Sequence, residues 1–375
     1  MDRAALCDAR AMPSRRAIVV ALLAARGSSE ALATSPSSAS SVALAFPRDF
    51  GAHPQSRIEW WYATGALEAA ARTWGFQITF FRATTGIAGA ETSAFRADQL
   101  VFAHAAVTDL AGARLLHDQR IARRGFGIAD ASTEDTRLLL RGWRLERAGG
   151  VGASRYRAVA ASETAGFRFD LALEATQAVL LQGVEGLSQK GPDRAQSSLY
   201  YSEPQLAVRG TLALGRAAPI AVTGRAWLDH EWSDSLLDAS AVGWDWIGMN
   251  LDDGATLTAF RLRRADGTTL WAGGSHRAAD ARAVPRNFTA AEVAFQPMRI
   301  WTSPATRAAY PVQWQVTTPV GRFEVVTLQD DQELDSRNAS GSVYWEGLSK
   351  LLDASGRPVG RGYLEMTGYV ARLVL

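Results

Sequence analysis

The chain has 375 residues, 47% of them hydrophobic, with 40 basic against 38 acidic side chains and a single cysteine. That length and composition suffice for a large core and two or three domains, and they exclude a disordered chain. A charge balance this close to zero leaves no electrostatic footprint for nucleic acid or an anionic membrane.

The first element in chain order is an export leader. Arg15 and Arg16 precede the apolar run of residues 17–25, and Ala31-Leu32-Ala33 supplies small residues for a signal peptidase. "SRRAIVV" also has the twin-arginine form, so a folded-protein route and the ordinary secretory route both stay open. The run is shorter than the roughly 20 residues a spanning helix needs, so no membrane span is expected. With residues 1–33 removed the mature protein would carry 35 basic and 35 acidic residues, and Cys7 would leave with the leader. A periplasmic or secreted location without disulfides or a cysteine metal site is the expectation.

A Ser/Ala/Pro linker, residues 34–45, comes next, and beyond it short alternating runs broken by Gly, Asp and Pro read as all-β. In "FRFDLALEA", Phe167, Phe169, Leu171 and Leu173 share one face and Arg168, Asp170 and Glu174 the other. Hairpins are expected about residues 319–322 and at Asp266-Gly267. "EWWYATGAL" and "GWDWIGMNL" echo each other, with Trp60 on Trp244 and Tyr62 on Trp246, and each is followed by a strand ending in Phe-Arg. The echo predicts two tandem closed antiparallel barrels, 46–222 and 223–375, divided where "GRAAPIAVTG" breaks the pattern, each with a central cavity.

The second unit opens with "GRAWLDHEW", in which Asp229, His230 and Glu231 stand between two tryptophans. On a strand, Leu228, His230 and Trp232 face one side and Trp227, Asp229 and Glu231 the other. An imidazole beside an indole in an apolar cavity can carry a proton near neutral pH, whereas a hydrogen-bonded core histidine would be structural. Further candidates are Glu59 before the Trp60-Trp61-Tyr62 cluster, His104 in "LVFAHAAVTD", Tyr200 and Tyr201 in "SSLYYSEP", and Asp245 between Trp244 and Trp246. Glu346 and Glu365 recur in the last two strands. No nucleophile elbow, zincin spacing or phosphate loop is present, and the five histidines show no metal spacing, so no cofactor and no metal are expected.

"HPQSRIEWWYATGAL", "WLDHEWSDSLLDASAVGWDWIGMNLDDG" and "YWEGLSKLLDASGRPVGRGYLEMTGY" resemble the signatures of the lipocalin-like family that includes AttH proteins and carotenoid 1,2-hydratases, over residues 46–369. The resemblance implies two lipocalin-like barrels, a scaffold also shared with kievitone hydratases and some fungal Diels–Alderases. In carotenoid hydratases a His-x-Trp pair and a later Tyr-x-Asp pair are implicated in adding water to an isoprenoid double bond. His230 and Trp232 match the first pair, but Phe260 and Leu262 stand where the second should be.

Two function classes follow. One is a cofactor-independent hydratase or lyase acting on an apolar isoprenoid or lipid alkene. In it His230, Trp232, Asp245 and Glu59 are catalytic, and Trp246, Trp60, Tyr62, His104 and Tyr201 bind substrate. The other is a periplasmic carrier of such a molecule, associated with a transport system; a hydrolase has only the label of relatives behind it.

Overall fold

The computed structural model describes residues 43–86, 97–235, 237–280 and 283–373, so the leader lies outside the described residues, as does all but the end of the linker. Strands and two single-turn 3-10 helices make up the described elements. The chain is an all-β, lipocalin-like structure of two antiparallel sheets.

The first sheet runs, edge to edge, through Arg114–Arg123, Gln99–Asp109, Arg72–Thr84, Ile58–Ala69, Ile220–Ser233, Ser197–Leu214, Phe167–Glu174, Arg155–Ser162, Trp143–Ala148, Arg137–Leu140 and Ala129–Ala131. It curls into a barrel whose two ends meet through a side chain. Arg120 donates to the carbonyls of Arg141 and Ala161, the latter at 2.7 Å, and its guanidinium lies 4.3 Å over the Trp143 ring. The second sheet follows the order Arg286–Phe288, Thr269–Arg277, Thr256–Arg264, Ala241–Leu251, Pro358–Thr367, Ser342–Leu352, Gly321–Thr327, Ala309–Thr318 and Ala294–Thr302.

The echo about the tryptophans falls on equivalent strands. Ile58–Ala69 and Ala241–Leu251 each lie between the strand that follows and the last long strand of the same sheet. A cross-strand ion pair repeats inside each sheet: Glu59 faces Arg82 in register, and Asp245 faces Arg261. Matching those pairs sets Trp60 opposite Trp246, two residues on from the alignment read in the sequence. The boundary expected between 222 and 223 falls within a strand. Ile220–Ser233 completes the first sheet, and the change of sheet comes between Ser233 and Ala241. "GRAAPIAVTG" instead holds a hairpin turn, residues 215–219, and the start of that strand, with Gly215 at φ 59°, a conformation glycine adopts without strain.

The interiors are filled. Trp61, Phe76, Phe80, Trp143, Tyr156, Phe169 and Tyr201 pack inside the first sheet, and Trp314, Tyr310, Trp345 and Leu364 inside the second. The central cavities expected from closure are therefore replaced by side chains, each contributing about 1.5–3 kcal/mol of burial. The mouth of the first barrel is plugged by residues 43–57, where Phe46 and Phe50 set their rings against Tyr201 at 5.1 and 5.9 Å.

A third apolar layer lies between the sheets, formed by Tyr62, Trp227, Trp246, Phe260, Leu348 and Tyr363. Gly248 makes it possible, because a Cβ there would come 2.3 Å from the Trp246 ring and 3.2 Å from Trp227. A cavity of about 300 Å³ opens beside this layer, lined by Thr64, Ala66, Trp227, Asn250, Leu348 and Gly362 among others.

Arg120→Ala removes both hydrogen bonds and the stacked guanidinium from the barrel closure. It is expected to cost about 1–3 kcal/mol, seen as a melting temperature lower by several degrees in calorimetry. An unchanged melting temperature would show that the ends of the sheet hold without it.

Candidate functional site

Strand Ile220–Ser233 has sheet neighbours on both edges and buried side chains on both faces from Ala226 to Ser233. Alternation sends Leu228, His230 and Trp232 into the first barrel, and Trp227, Asp229 and Glu231 towards the second sheet. Two separate polar clusters result.

Inside the barrel, His230 lies between a carboxylate and a phenol. Its Nε2 is 2.8 Å from Glu59 Oε1 and its Nδ1 is 3.1 Å from the Tyr201 hydroxyl. Glu59 also receives the Arg82 Nε–H at 2.8 Å on its other oxygen, and faces His53 Nδ1 at 2.8 Å. His53 continues to Asp49 through Nε2 at 3.2 Å, and Asp49 accepts the Ala45 N–H at 2.6 Å. Ring stacking fixes both imidazoles, Trp232 on His53 at 3.7 Å and Trp61 on His230 at 4.4 Å.

Glu59, Arg82 and His230 are completely buried. Burial alone would raise the Glu59 carboxyl, but the bonds from His230 and His53 outweigh it and hold the group down at about 2. Burial pulls His230 down to about 4 against the opposing pull of Glu59. Both nitrogens of His230 are engaged, and it does not line the cavity beside the inter-sheet layer.

The inter-sheet cluster is acidic and aromatic. Asp229 accepts from Ser202 Oγ at 2.5 Å and from Trp227 Nε1 at 2.7 Å, while Glu231 pairs with Lys190 at 3.0 Å and accepts from Ser198. Opposite them Glu346 and Glu365 are register partners on neighbouring strands, and Trp246 is the partner of Glu365 on its other side. Trp244 Nε1 donates to Glu365 at 3.1 Å. The Tyr62 hydroxyl and Glu346 Oε1 are buried without a hydrogen bond. Glu365, Trp60 and Trp244 are half-buried, so this layer reaches solvent at one side.

Burial pushes Asp229 up to about 7 and Glu365 up to about 8, and drives Glu346 well above the carboxylate range, with the adjoining Glu365 charge adding to it. These acids therefore hold protons near neutral pH. Like charges on adjacent strands at this depth would otherwise repel strongly.

The candidates named from the sequence thus divide into groups. Glu59, His230, Trp232 and Tyr201 come together inside the barrel, whereas Trp60, Tyr62 and Trp246 belong to the inter-sheet layer. Asp245 joins neither: it is buried in the second sheet, held by Arg261 Nε at 2.7 Å and the Tyr369 hydroxyl at 2.8 Å. Its arginine was not visible to a reading that looked only at its tryptophan neighbours. His104 stands at the far side of the layer, where Nδ1 lies 2.6 Å from the Tyr344 hydroxyl and burial lowers it to about 3. Asp229 and Glu231 meet serine, tryptophan and lysine in the layer between the sheets.

His53, Arg82 and Asp49 were not singled out in the sequence. The available signal was modest: His53 opens the first family-like stretch, and Arg82 ends the strand that the echo marked. His53, Glu59 and His230 also bring three metal-binding atoms within 4.8 Å of one another, a set invisible in the linear spacing of the histidines.

The fold and these sites define a two-sheet, lipocalin-like β protein with a buried polar core in each half. The chain belongs to the AttH-like family, whose model matches residues 37–369. It is similar to the crystal structure of an AttH-type protein from Nitrosomonas europaea, at 46% identity and a TM-score of 0.79, over 88% of this chain and 98% of that one. Kievitone hydratase from Nectria haematococca shares the fold at 15% identity and a TM-score of 0.66, over 89% and 95% of the two chains. No curated relative matches the sequence.

The shifted acids set a pH dependence. Asp229 titrates at about 7 in the fold against 3.8 for the free side chain, so its stabilising contribution is complete below 3.8 and is lost as pH rises through 7. Asp229→Asn keeps an acceptor oxygen without the ionisation. Its melting temperature should equal the parent's near pH 4 and exceed it by several degrees at pH 8. A variant less stable than the parent at pH 8 would show that Asp229 is a needed anion.

Proposed function

We propose that the protein is a cofactor-independent hydratase or lyase for an apolar alkene, with its chemistry in the inter-sheet layer. The observation that carries this reading is a pair of facing carboxyl groups, Glu346 and Glu365, set among Trp60, Tyr62 and Trp246 in a layer whose burial pushes both up towards the protonated form. Alkene hydration needs an acid that keeps its proton at neutral pH and a surface that stabilises a carbocation.

In this reading the Glu365 proton adds to the less substituted carbon of the double bond. The tertiary cation rests against the indole of Trp246. Water attacks the cation and returns its proton to the carboxylate, so that alkene and water become an alcohol with the acid restored. A low-dielectric layer strengthens each of these contacts.

The family resemblance supports the location. Phe260 and Leu262, which stand where carotenoid hydratases have Tyr-x-Asp, both belong to this layer, and Phe260 is the register partner of Trp246. Glu365, the partner of Trp246 on its other side, supplies the carboxyl that those positions lack. The fold shared with a kievitone hydratase, an enzyme named for hydration, agrees with the reaction class. His230 and Trp232 act through the fold in this reading, by closing the first barrel. The leader read in residues 1–33 would place the reaction outside the cytoplasm.

Turnover of prenyl alkenes in D₂O tests the assignment. Glu365→Gln should lower kcat about a hundredfold or more, with a melting temperature within a few degrees of the parent, and the parent's product should carry one deuterium beside the new carbinol carbon. Full activity in Glu365→Gln, with loss in His230→Gln at an unchanged melting temperature, would move the chemistry into the barrel. An unaltered lipid copurifying with a protein that turns nothing over would make it a carrier.

A further inference from the structure

The cluster inside the first barrel has a geometry that the proposed reaction does not use. His53 Nδ1 and His230 Nε2 both point at Glu59 Oε1 from 2.8 Å, and the three atoms lie within 4.8 Å of one another. Two imidazole nitrogens and one carboxylate oxygen gathered this closely supply the donor types that hold a zinc-class ion.

The surrounding groups match what such ligands require. A ligating histidine normally gives its other ring nitrogen to an oxygen that fixes the ring. His53 Nε2 faces Asp49 Oδ1 at 3.2 Å, and His230 Nδ1 faces the Tyr201 hydroxyl at 3.1 Å. Glu59 Oε2 is held by Arg82 and by the His53 backbone N–H at 2.9 Å, while Oε1, which that N–H also reaches at 3.1 Å, is the oxygen facing both rings. The stacked indoles of Trp232 and Trp61 hold both rings in plane. Counting Asp49, Glu59, Arg82 and a dication, the cluster would carry one net positive charge. A two-histidine, one-glutamate site has that charge by itself, because Asp49 cancels Arg82.

We propose that His53, Glu59 and His230 bind one divalent transition-metal ion of the zinc class, which clamps the plug of residues 43–57 to the barrel. His53 comes from the plug, whereas Glu59 and His230 come from two paired strands, at positions two residues apart in register: Glu59 is opposite Trp232, and His230 opposite Trp61. An ion held by all three ties the mouth of the barrel shut. It sits on the opposite face of Ile220–Ser233 from the inter-sheet acids, so its role is structural and separate from the proposed chemistry.

The test uses the full chain, stripped with a chelator, incubated with zinc or cobalt(II), desalted and measured by elemental analysis. About one equivalent should be retained, cobalt should give visible ligand-field bands, and zinc should raise the melting temperature by several degrees. His53→Gln, a change in the plug outside the strands, should lose the bands and the retained metal. His276→Gln, at a histidine outside the cluster, should keep both. No retained metal in the parent chain, or equal retention by His53→Gln, would overturn the proposal. His230→Gln adds a second reading if it folds, with the same two outcomes.

Discussion

Strand Ile220–Ser233 is the constraint from which the rest of the architecture follows. It has a sheet neighbour on either edge and packed layers on either face, so each residue from Ala226 onward must be suited to one of two buried environments. The period of two in a strand allows no compromise between them. His230 belongs to the barrel interior, and its acidic neighbours belong to the layer against the second sheet. A one-residue slip would bury Asp229 and Glu231 against Trp61 and Tyr201 and expose the imidazole to the acids, so the hydrogen bonds on each face also lock the register.

Each sheet meets the same electrostatic problem with the same device. Glu59–Arg82 in the first and Asp245–Arg261 in the second join the opening strand to the next across one register step. Removing one member of such a pair leaves a buried charge and typically costs about 3–5 kcal/mol. The inter-sheet layer solves a different problem, since Asp229, Glu346 and Glu365 find too few cations there and keep their protons.

Much of this was legible in the sequence. The alternation of "GRAWLDHEW" gave the facing of His230 and Asp229 correctly, and the tryptophan echo found the equivalent strands. The domain boundary was misplaced because Gly and Pro punctuate hairpins and domain junctions alike, and only pairing with Ile58–Ala69 shows to which sheet the strand belongs. His53 and Arg82 escaped notice because their meeting with Glu59 depends on a loop returning over the barrel mouth and on cross-strand register, neither of which leaves a periodic trace. Residue type and its two tryptophan neighbours place Asp245 among the catalytic candidates. Its arginine, Arg261, lies on the neighbouring strand, and that contact removes it from the site. The filled barrel interiors were equally hidden, since an inward row of aromatic residues reads the same whether it lines a cavity or fills it.

Under the proposed function the apolar ligand sits between the sheets and not within the first barrel. A crystal structure of the protein soaked with a tertiary prenyl alcohol, the product class of the proposed reaction, tests it directly. Ligand density is expected against Trp60 and Trp246, with the hydroxyl at Glu365. Density inside the first barrel, against Trp232 and His230 with residues 43–57 displaced, would contradict it.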